Sequence, residues 1–174
     1  MITKQITTAN ANDNKQLEML YKTSFPEQEQ IPWDELVPLI DKMYLDFTTY
    51  YEKDEIVGFT VVFPYKTLNW FWYFAVKPEL RGQGKGQEML TIVIQKYKGK
   101  KFFLDLESTK QKCENMEQRI SRHGFYLRNG FKDTNLYKKY DDIEMTVMVL
   151  GDNKITLQDW DNMLAELRKF WTWN

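Results

Sequence analysis

Cysteine is almost missing from this chain. Cys113 is the only one among 174 residues, so no intramolecular disulfide can form and no thiolate cluster can hold zinc. That usage fits a reducing compartment, and a cytoplasmic location is expected. Histidine is equally scarce, with His123 alone. Long apolar runs are lacking too. No stretch approaches the roughly 20 residues of a membrane span, and Met1-Ile2-Thr3-Lys4-Gln5-Ile6 has no apolar segment of the signal-peptide kind. Nor is there an excess of one charge: Lys and Arg number 24 against 25 Asp and Glu, for a net charge of -1. That balance leaves no basic footprint for nucleic acid and no polybasic run for a membrane surface. Gly and Pro are too scattered to mark a linker and no internal repeat appears, so residues 1–174 read as one domain.

What the chain has in plenty is aromatic side chains, at 16% of residues, above ordinary usage. Residues 1–7 read as a short strand. A helix follows, capped by Asp13 or Asn14, with Leu17, Leu20, Tyr21 and Phe25 on its apolar face and Pro26 at its end. A polar loop from Pro26 to Pro32 leads to a second helical pattern of Trp33, Leu36, Val37, Ile40 and Met43, against which Pro38 counts. Three sequential antiparallel strands come next, Phe47–Glu52, Ile56–Phe63 and Leu68–Val76, with a hairpin turn at Lys53-Asp54-Glu55. A helix from Gly86 to about Lys98, a strand at Lys101–Glu107, a helix over 114–129 and strands at Phe131–Tyr140 and Ile143–Leu150 complete the pattern. In the C-terminal extension, 152–174, a capping box from Thr156 to Asp159 opens a last helix carrying Trp160, Met163, Leu164, Leu167, Phe170 and Trp171, with Trp173 outside it. Its stripe either packs in the core or forms a dimer face, so the chain is read as a monomer or a homodimer.

Between the third strand of that run and the helix after it lies Arg81-Gly82-Gln83-Gly84-Lys85-Gly86. Strand, glycine loop and helix together form an anion-binding arrangement. Glycines admit positive φ, successive N–H groups turn inward, and the positive end of the helix dipole stands behind them. A Walker loop would need Gly-Lys-Ser/Thr, and Gly86 is followed by Gln87. The dinucleotide fingerprint Gly-x-Gly-x-x-Gly fails as well, because its third position falls on Gln87 or Met89.

The spacing Arg-x-x-Gly-x-Gly after a strand ending Val-x-Pro instead resembles the coenzyme A signature of the GCN5-related N-acetyltransferase (GNAT) family. A second motif, Phe125-Tyr126-Leu127-Arg128-Asn129-Gly130-Phe131, is similar to that family's Tyr-x-x-x-Gly-Phe. The resemblance is strongest over about 57–135. It implies a mixed α/β fold: a mostly antiparallel twisted sheet of six to seven strands, splayed between the fourth and fifth, flanked by helices and followed by the C-terminal helix. It also implies an acetyltransferase using acetyl-coenzyme A without a metal. The pyrophosphate would be held by Arg81, Gly82, Gln83, Gly84, Lys85 and Gly86, and both the pantetheine arm and the developing oxyanion by the backbone of Phe74, Ala75 and Val76. A member of the same fold that binds acyl-coenzyme A without catalysis, as a sensor or assembly module, is the alternative.

Acetyl transfer to an amine has three requirements: removal of protons from the ammonium, a donor for the developing oxyanion, and help for the departing thiolate. Tyr126 matches the family's tyrosine that faces the sulfur, as an acid or as a packing group. Many relatives place a glutamate on the fourth strand, but Asn69-Trp70-Phe71-Trp72-Tyr73-Phe74-Ala75-Val76 has no carboxylate. Glu107, on the fifth strand beside Asp105, is then the candidate base, or else a salt-bridging or helix-capping carboxylate. Arg119 and Arg122 share a helical face and either pair with acids or touch a ligand; His123 reads as a solvated helix residue. The acceptor, a small-molecule or peptide amine, would enter by the loop carrying Glu27 and Glu29, whose charges attract cations unless they merely solvate the loop. Trp70, Trp72 and Tyr73 are expected to alternate between the sheet faces, one set lining the acceptor slot.

Overall fold

The computed structural model describes residues 1–2, 4–7, 15–140 and 142–171. The candidate caps Asp13 and Asn14, and Trp173, lie outside the described residues. The elements run β1 (Lys4–Thr7), α1 (Lys15–Ser24), a 3-10 turn at Glu27–Glu29, α2 (Trp33–Lys42), β2 (Asp46–Glu52), β3 (Glu55–Tyr65) and β4 (Leu68–Val76). After them come α3 (Lys85–Lys96), β5 (Lys101–Glu107), α4 (Met116–Arg128), β6 (Phe131–Tyr140), β7 (Ile143–Leu150) and α5 (Leu157–Leu167). The order read from hydrophobic period is the order observed. Pro38 sits inside α2 on its exposed side, where the carbonyl left without an N–H partner can meet water. No helix among the described residues is long and apolar enough to cross a membrane.

One seven-stranded sheet, in the order β1-β2-β3-β4-β5-β7-β6, carries everything else. Every neighbouring pair is antiparallel except β4 and β5, which run parallel. A parallel pair needs a crossover, and α3 supplies it. The two faces of the sheet build separate apolar layers. Beneath α1, α2 and α5 lie Phe47, Phe59, Trp70, Tyr73 and Val147 with Tyr21, Leu36 and Trp160. Beneath α3 and α4 lie Phe71, Phe102, Leu104 and Met148 with Leu90, Val93 and Tyr126. The high aromatic content is spent mostly on these layers.

Two features of β4 depart from a regular strand. Its ladder with β5 consists of Leu68↔Lys101, Asn69↔Phe102 and Trp70↔Phe103, after which the strands separate. Its ladder with β3 shifts register so that Val61 faces Tyr73 and Val62 faces Phe71, leaving Trp72 as the extra residue of a bulge. A bulge resets the inside–outside alternation. Trp70, Trp72 and Tyr73 therefore do not alternate as expected but pack on the α1–α2–α5 side, with Phe71, Phe74 and Val76 opposite. Their rings form one stack, Trp70 to Trp72 at 4.7 Å and Trp72 to Tyr73 at 5.0 Å. A period-2 rule cannot foresee that, because the slip is set by the neighbouring strand.

At the C-terminal end the capping box forms as expected. Thr156 Oγ1 accepts from the Asp159 N–H at 3.1 Å, and Asp159 Oδ2 accepts from the Thr156 N–H at 2.9 Å. Trp160, Met163, Leu164 and Leu167 are buried, the core alternative for this stripe. The helix stops at Leu167, so Phe170 and Trp171 fall beyond it, Phe170 exposed and the Trp171 ring N–H donating to Glu35. Thr156→Ala removes the acceptor for a helix-end N–H and should lower the unfolding free energy by about 1 kcal/mol, read by denaturant titration.

Candidate active site

Where β4 and β5 part, the sheet has an opening with a different wall on each face. On the α3–α4 side stands the glycine loop. Gly82 and Gly84 have φ of 73° and 80°, a region L side chains rarely enter, and a Cβ on either would meet nothing within 4 Å. Gly84 is the N-cap of α3 and brings no side-chain cap. The first N–H groups of the helix, from Lys85 to Gln87, therefore have no capping partner among the described residues. Arg81 is tied back by its Nε to the Val76 carbonyl at 3.1 Å, leaving its guanidinium tip on the surface. Gln83 donates to the Glu79 carbonyl at 2.7 Å.

Lys85 takes a different course from the rest of the loop. Its ammonium turns to Glu52 of β2 at 2.6 Å and to Glu88 at 3.5 Å, so that its charge is spent within the fold and only its backbone N–H faces the loop. The opposing carboxylates decide this: Glu88 lies one helical turn away, and Glu52 is remote in sequence. Gly86 rests against Val76 and Phe74, at 3.6 and 3.7 Å from the position of a Cβ, with Phe125 at 4.0 Å.

That contact joins the second motif to the first. The Phe125 ring stacks with Phe74 at 6.2 Å, and the Gln87 amide donates to Asn129 Oδ1, whose own amide holds the Phe125 carbonyl at 2.8 Å. Phe125, Gln87 and Asn129 were not singled out by the sequence reading, although two of them lie within the second motif. Tyr126 is buried against Phe125 and Phe131. Burial raises its phenol well above the ordinary value, with Arg122 pulling the other way, and its hydroxyl forms no hydrogen bond among the described residues. The neutral hydroxyl is thus a donor in wait.

The opposite side of the opening is acidic. Asp105 accepts from the Trp70 ring N–H at 2.6 Å, just past the last β4–β5 pair. Burial pushes its carboxyl up to about 6, and the Trp70 hydrogen bond opposes the rise. Glu107, 6% exposed, is held by two arginines of α4: Arg119 Nη2 on Oε1 at 2.8 Å and Arg122 Nη1 on Oε2 at 3.3 Å. Arg119 is itself fixed to the Asn115 side chain and the Ser108 carbonyl. The arginine pair thus takes the acid-pairing alternative, and so does Glu107. His123 is not simply solvated, because a ring nitrogen lies 2.9 Å from Asp133 of β6, which shares the α4-facing side of its strand with Phe131.

The two loop glutamates part company. Glu27 is exposed, whereas Glu29 is half-buried. The backbone around Glu29 is pinned from below: Tyr73 of β4 donates to its carbonyl at 2.9 Å, and Tyr21 of α1 both donates to the Ile31 carbonyl and accepts from its N–H, at 3.1 and 2.9 Å. Burial pushes the Glu29 carboxyl up to about 7; Glu107 and Asp105 push the same way, and Arg122 and Arg119 pull back. Among the described residues the acidic groups do not converge tightly enough to hold a metal.

A family model described as an acetyltransferase (GNAT) domain matches residues 45–133. No curated protein matches the chain in sequence. Among solved structures, a Bacteroides thetaiotaomicron protein described as an acetyltransferase of the GNAT family is 25% identical, with a TM-score of 0.75 over 95% of each chain. A Bacillus subtilis acetyltransferase in complex with coenzyme A shares 16% identity and a TM-score of 0.62, over 85% of this chain and 97% of that one. An Elizabethkingia anophelis GNAT acetyltransferase with acetyl-coenzyme A bound shares 19% and 0.51, over 73% and 94%.

The Glu107 ion pairs have a consequence for stability. Glu107→Gln leaves the Arg119 guanidinium buried without its counter-charge, which should cost about 3 kcal/mol in unfolding free energy. Chemical denaturation checks it.

Proposed function

The chain belongs to the GNAT acetyltransferase family, and from that premise we propose that it transfers the acetyl group of acetyl-coenzyme A to a primary amine of a small molecule or peptide, by direct attack in a ternary complex. The observation that carries the reading is the early end of the β4–β5 ladder beside an uncapped, glycine-led helix start. Strand edges left unpaired invite an extended ligand to complete them. The free edge of β4 past Trp70 suits the amide-bearing pantetheine arm, along the backbone of Phe74, Ala75 and Val76. The N–H groups that open α3, with Arg81 at the surface, suit the pyrophosphate.

Bound there, acetyl-coenzyme A supplies an acetyl thioester, already activated for attack by a neutral amine. The work left to the protein is placement and proton handling. The Tyr126 hydroxyl, buried on the α3–α4 side, faces the sulfur in this reading. A phenol raised by burial is a weaker acid than a thiol, so its contribution is a hydrogen bond to the developing thiolate that keeps the proton largely on the tyrosine. The acceptor comes from the other face, past Glu29 and the Trp70–Trp72–Tyr73 stack.

Incubation with acetyl-coenzyme A and a panel of primary amines, following free thiol, tests the reading. Amine-dependent thiol release is expected; tight binding with no amine dependence would favour a non-catalytic module instead. Tyr126→Phe should lower kcat by about 10-fold to 10²-fold with acetyl-coenzyme A affinity unchanged. Gly84→Leu should abolish detectable acetyl-coenzyme A binding by calorimetry, while the strain of a left-handed leucine, about 1–2 kcal/mol, leaves the fold intact.

A further inference from the structure

If β4 carries no carboxylate and both oxygens of Glu107 are held by arginines, the group that deprotonates the amine must come from elsewhere. We infer that the proton acceptor is Glu29, delivered to the opening by the pinned α1–α2 loop; the inference rests on the acetyl-transfer reading above. Four carboxylates lie at or near this mouth, and three are disposed of by geometry. Glu27 is in solvent. Asp105 spends an oxygen on the Trp70 ring N–H at 2.6 Å. Glu107 is locked between Arg119 and Arg122. The Glu29 carboxylate accepts no hydrogen bond among the described residues, so its lone pairs are available.

Its position is not that of a loose surface loop. Tyr73 holds the Glu29 carbonyl, Tyr21 fixes the backbone two residues further on, the Glu29 N–H donates to the Pro26 carbonyl at 2.9 Å, and Gln30 closes the turn by donating to the Phe25 carbonyl at 2.7 Å. A carboxylate on such a frame is preorganised in the way proton transfer requires. Arg122 acts electrostatically on both Glu29 and Tyr126; the loop of Glu29 is pinned to Tyr73 on the α1–α2 face, and Tyr126 packs on the α3–α4 face. An amine between them meets a base behind it and the thioester in front.

The chemistry balances. An N–H bond of the acceptor ammonium breaks and its proton passes to a Glu29 oxygen. The freed nitrogen lone pair forms the N–C bond to the acetyl carbonyl, the C–S bond breaks, and its electron pair leaves on sulfur. The nitrogen then loses a second proton, matched by the one the sulfur gains, and the first leaves Glu29 for solvent. The charged and titratable groups that act on Glu29 are Asp105 and Glu107 from β5 and Arg119 and Arg122 from α4, with Tyr73 of β4 beneath its carbonyl. Burial and the two β5 acids bring its carboxyl to about 7, so it is a proton acceptor above that pH and is blocked below it.

The experiment compares wild type with Glu29→Gln, following thiol release with acetyl-coenzyme A and putrescine or Nα-acetyl-lysine across the pH range, and in parallel with methoxyamine, which is already neutral near pH 7. With the alkylamines, wild-type kcat/KM should fall on the acid side of about pH 7. Glu29→Gln should lower the plateau by about 10²-fold and remove that limb, with acetyl-coenzyme A affinity and the unfolding midpoint unchanged. With methoxyamine, which has no first proton to lose, the variant should lose less than about threefold. An active wild type with an unaltered Glu29→Gln profile would overturn the inference alone, as would an equal loss with both kinds of amine. A wild type inert to every amine would overturn the transfer reading and this inference together.

Discussion

The early end of the β4–β5 ladder is the constraint on which the other features depend. A parallel pair that continued past Trp70 and Phe103 would satisfy the β4 edge and close the sheet. Because the strands part there, backbone groups of β4 that a sheet would normally consume are left for something else, and buried backbone polar groups do not stay unpaired. The bulge at Trp72 begins at the same place, and a bulge bends its strand and deepens its twist. One side chain closes the apex of the opening: Trp70 donates across the gap to Asp105, linking the two strands after their backbones have ceased to pair.

Around that apex the charged groups are sorted by partner rather than by type. Three acids converge on the same mouth, and each meets a different environment: Asp105 a single ring N–H, Glu107 two guanidiniums, Glu29 a desolvated space between like and unlike charges. Identical carboxyl chemistry thus divides into a strand tie, a structural ion pair and a group that accepts no hydrogen bond among the described residues. The same sorting removes Lys85 from the glycine loop, where its spacing alone would set it against an anion, and gives it to Glu52 and Glu88.

Much of the architecture was readable before any coordinates, because its signals are local. The apolar stripe of α3, the capping box of α5 and the turn at Lys53-Asp54, both in left-handed conformation, follow from periods and cap chemistry that act over a few residues. The two motifs were legible for the same reason, since the positive φ values of Gly82 and Gly84 are demanded by the loop itself. What failed depended on a neighbour. The alternation of Trp70, Trp72 and Tyr73 was misread because the bulge belongs to the β3–β4 pairing. His123 meets Asp133 across α4 and β6, and the stacking of Phe125 on Phe74 likewise joins residues from different elements.

The sequence by itself determined the element order, the helix boundaries to within a few residues, the glycine loop and the tyrosine motif downstream. Each is written in spacings shorter than two helical turns, where backbone geometry has few choices. Only the tertiary structure decided which carboxylate is bound and which, among the described residues, accepts no hydrogen bond. Glu107 and Glu29 are indistinguishable as letters; their difference comes from Arg119 and Arg122 on α4 and from Tyr73 and Tyr21 beneath the loop. Hydrogen bonds and Coulomb interactions act through space, and the partners they join here are brought together by the sheet.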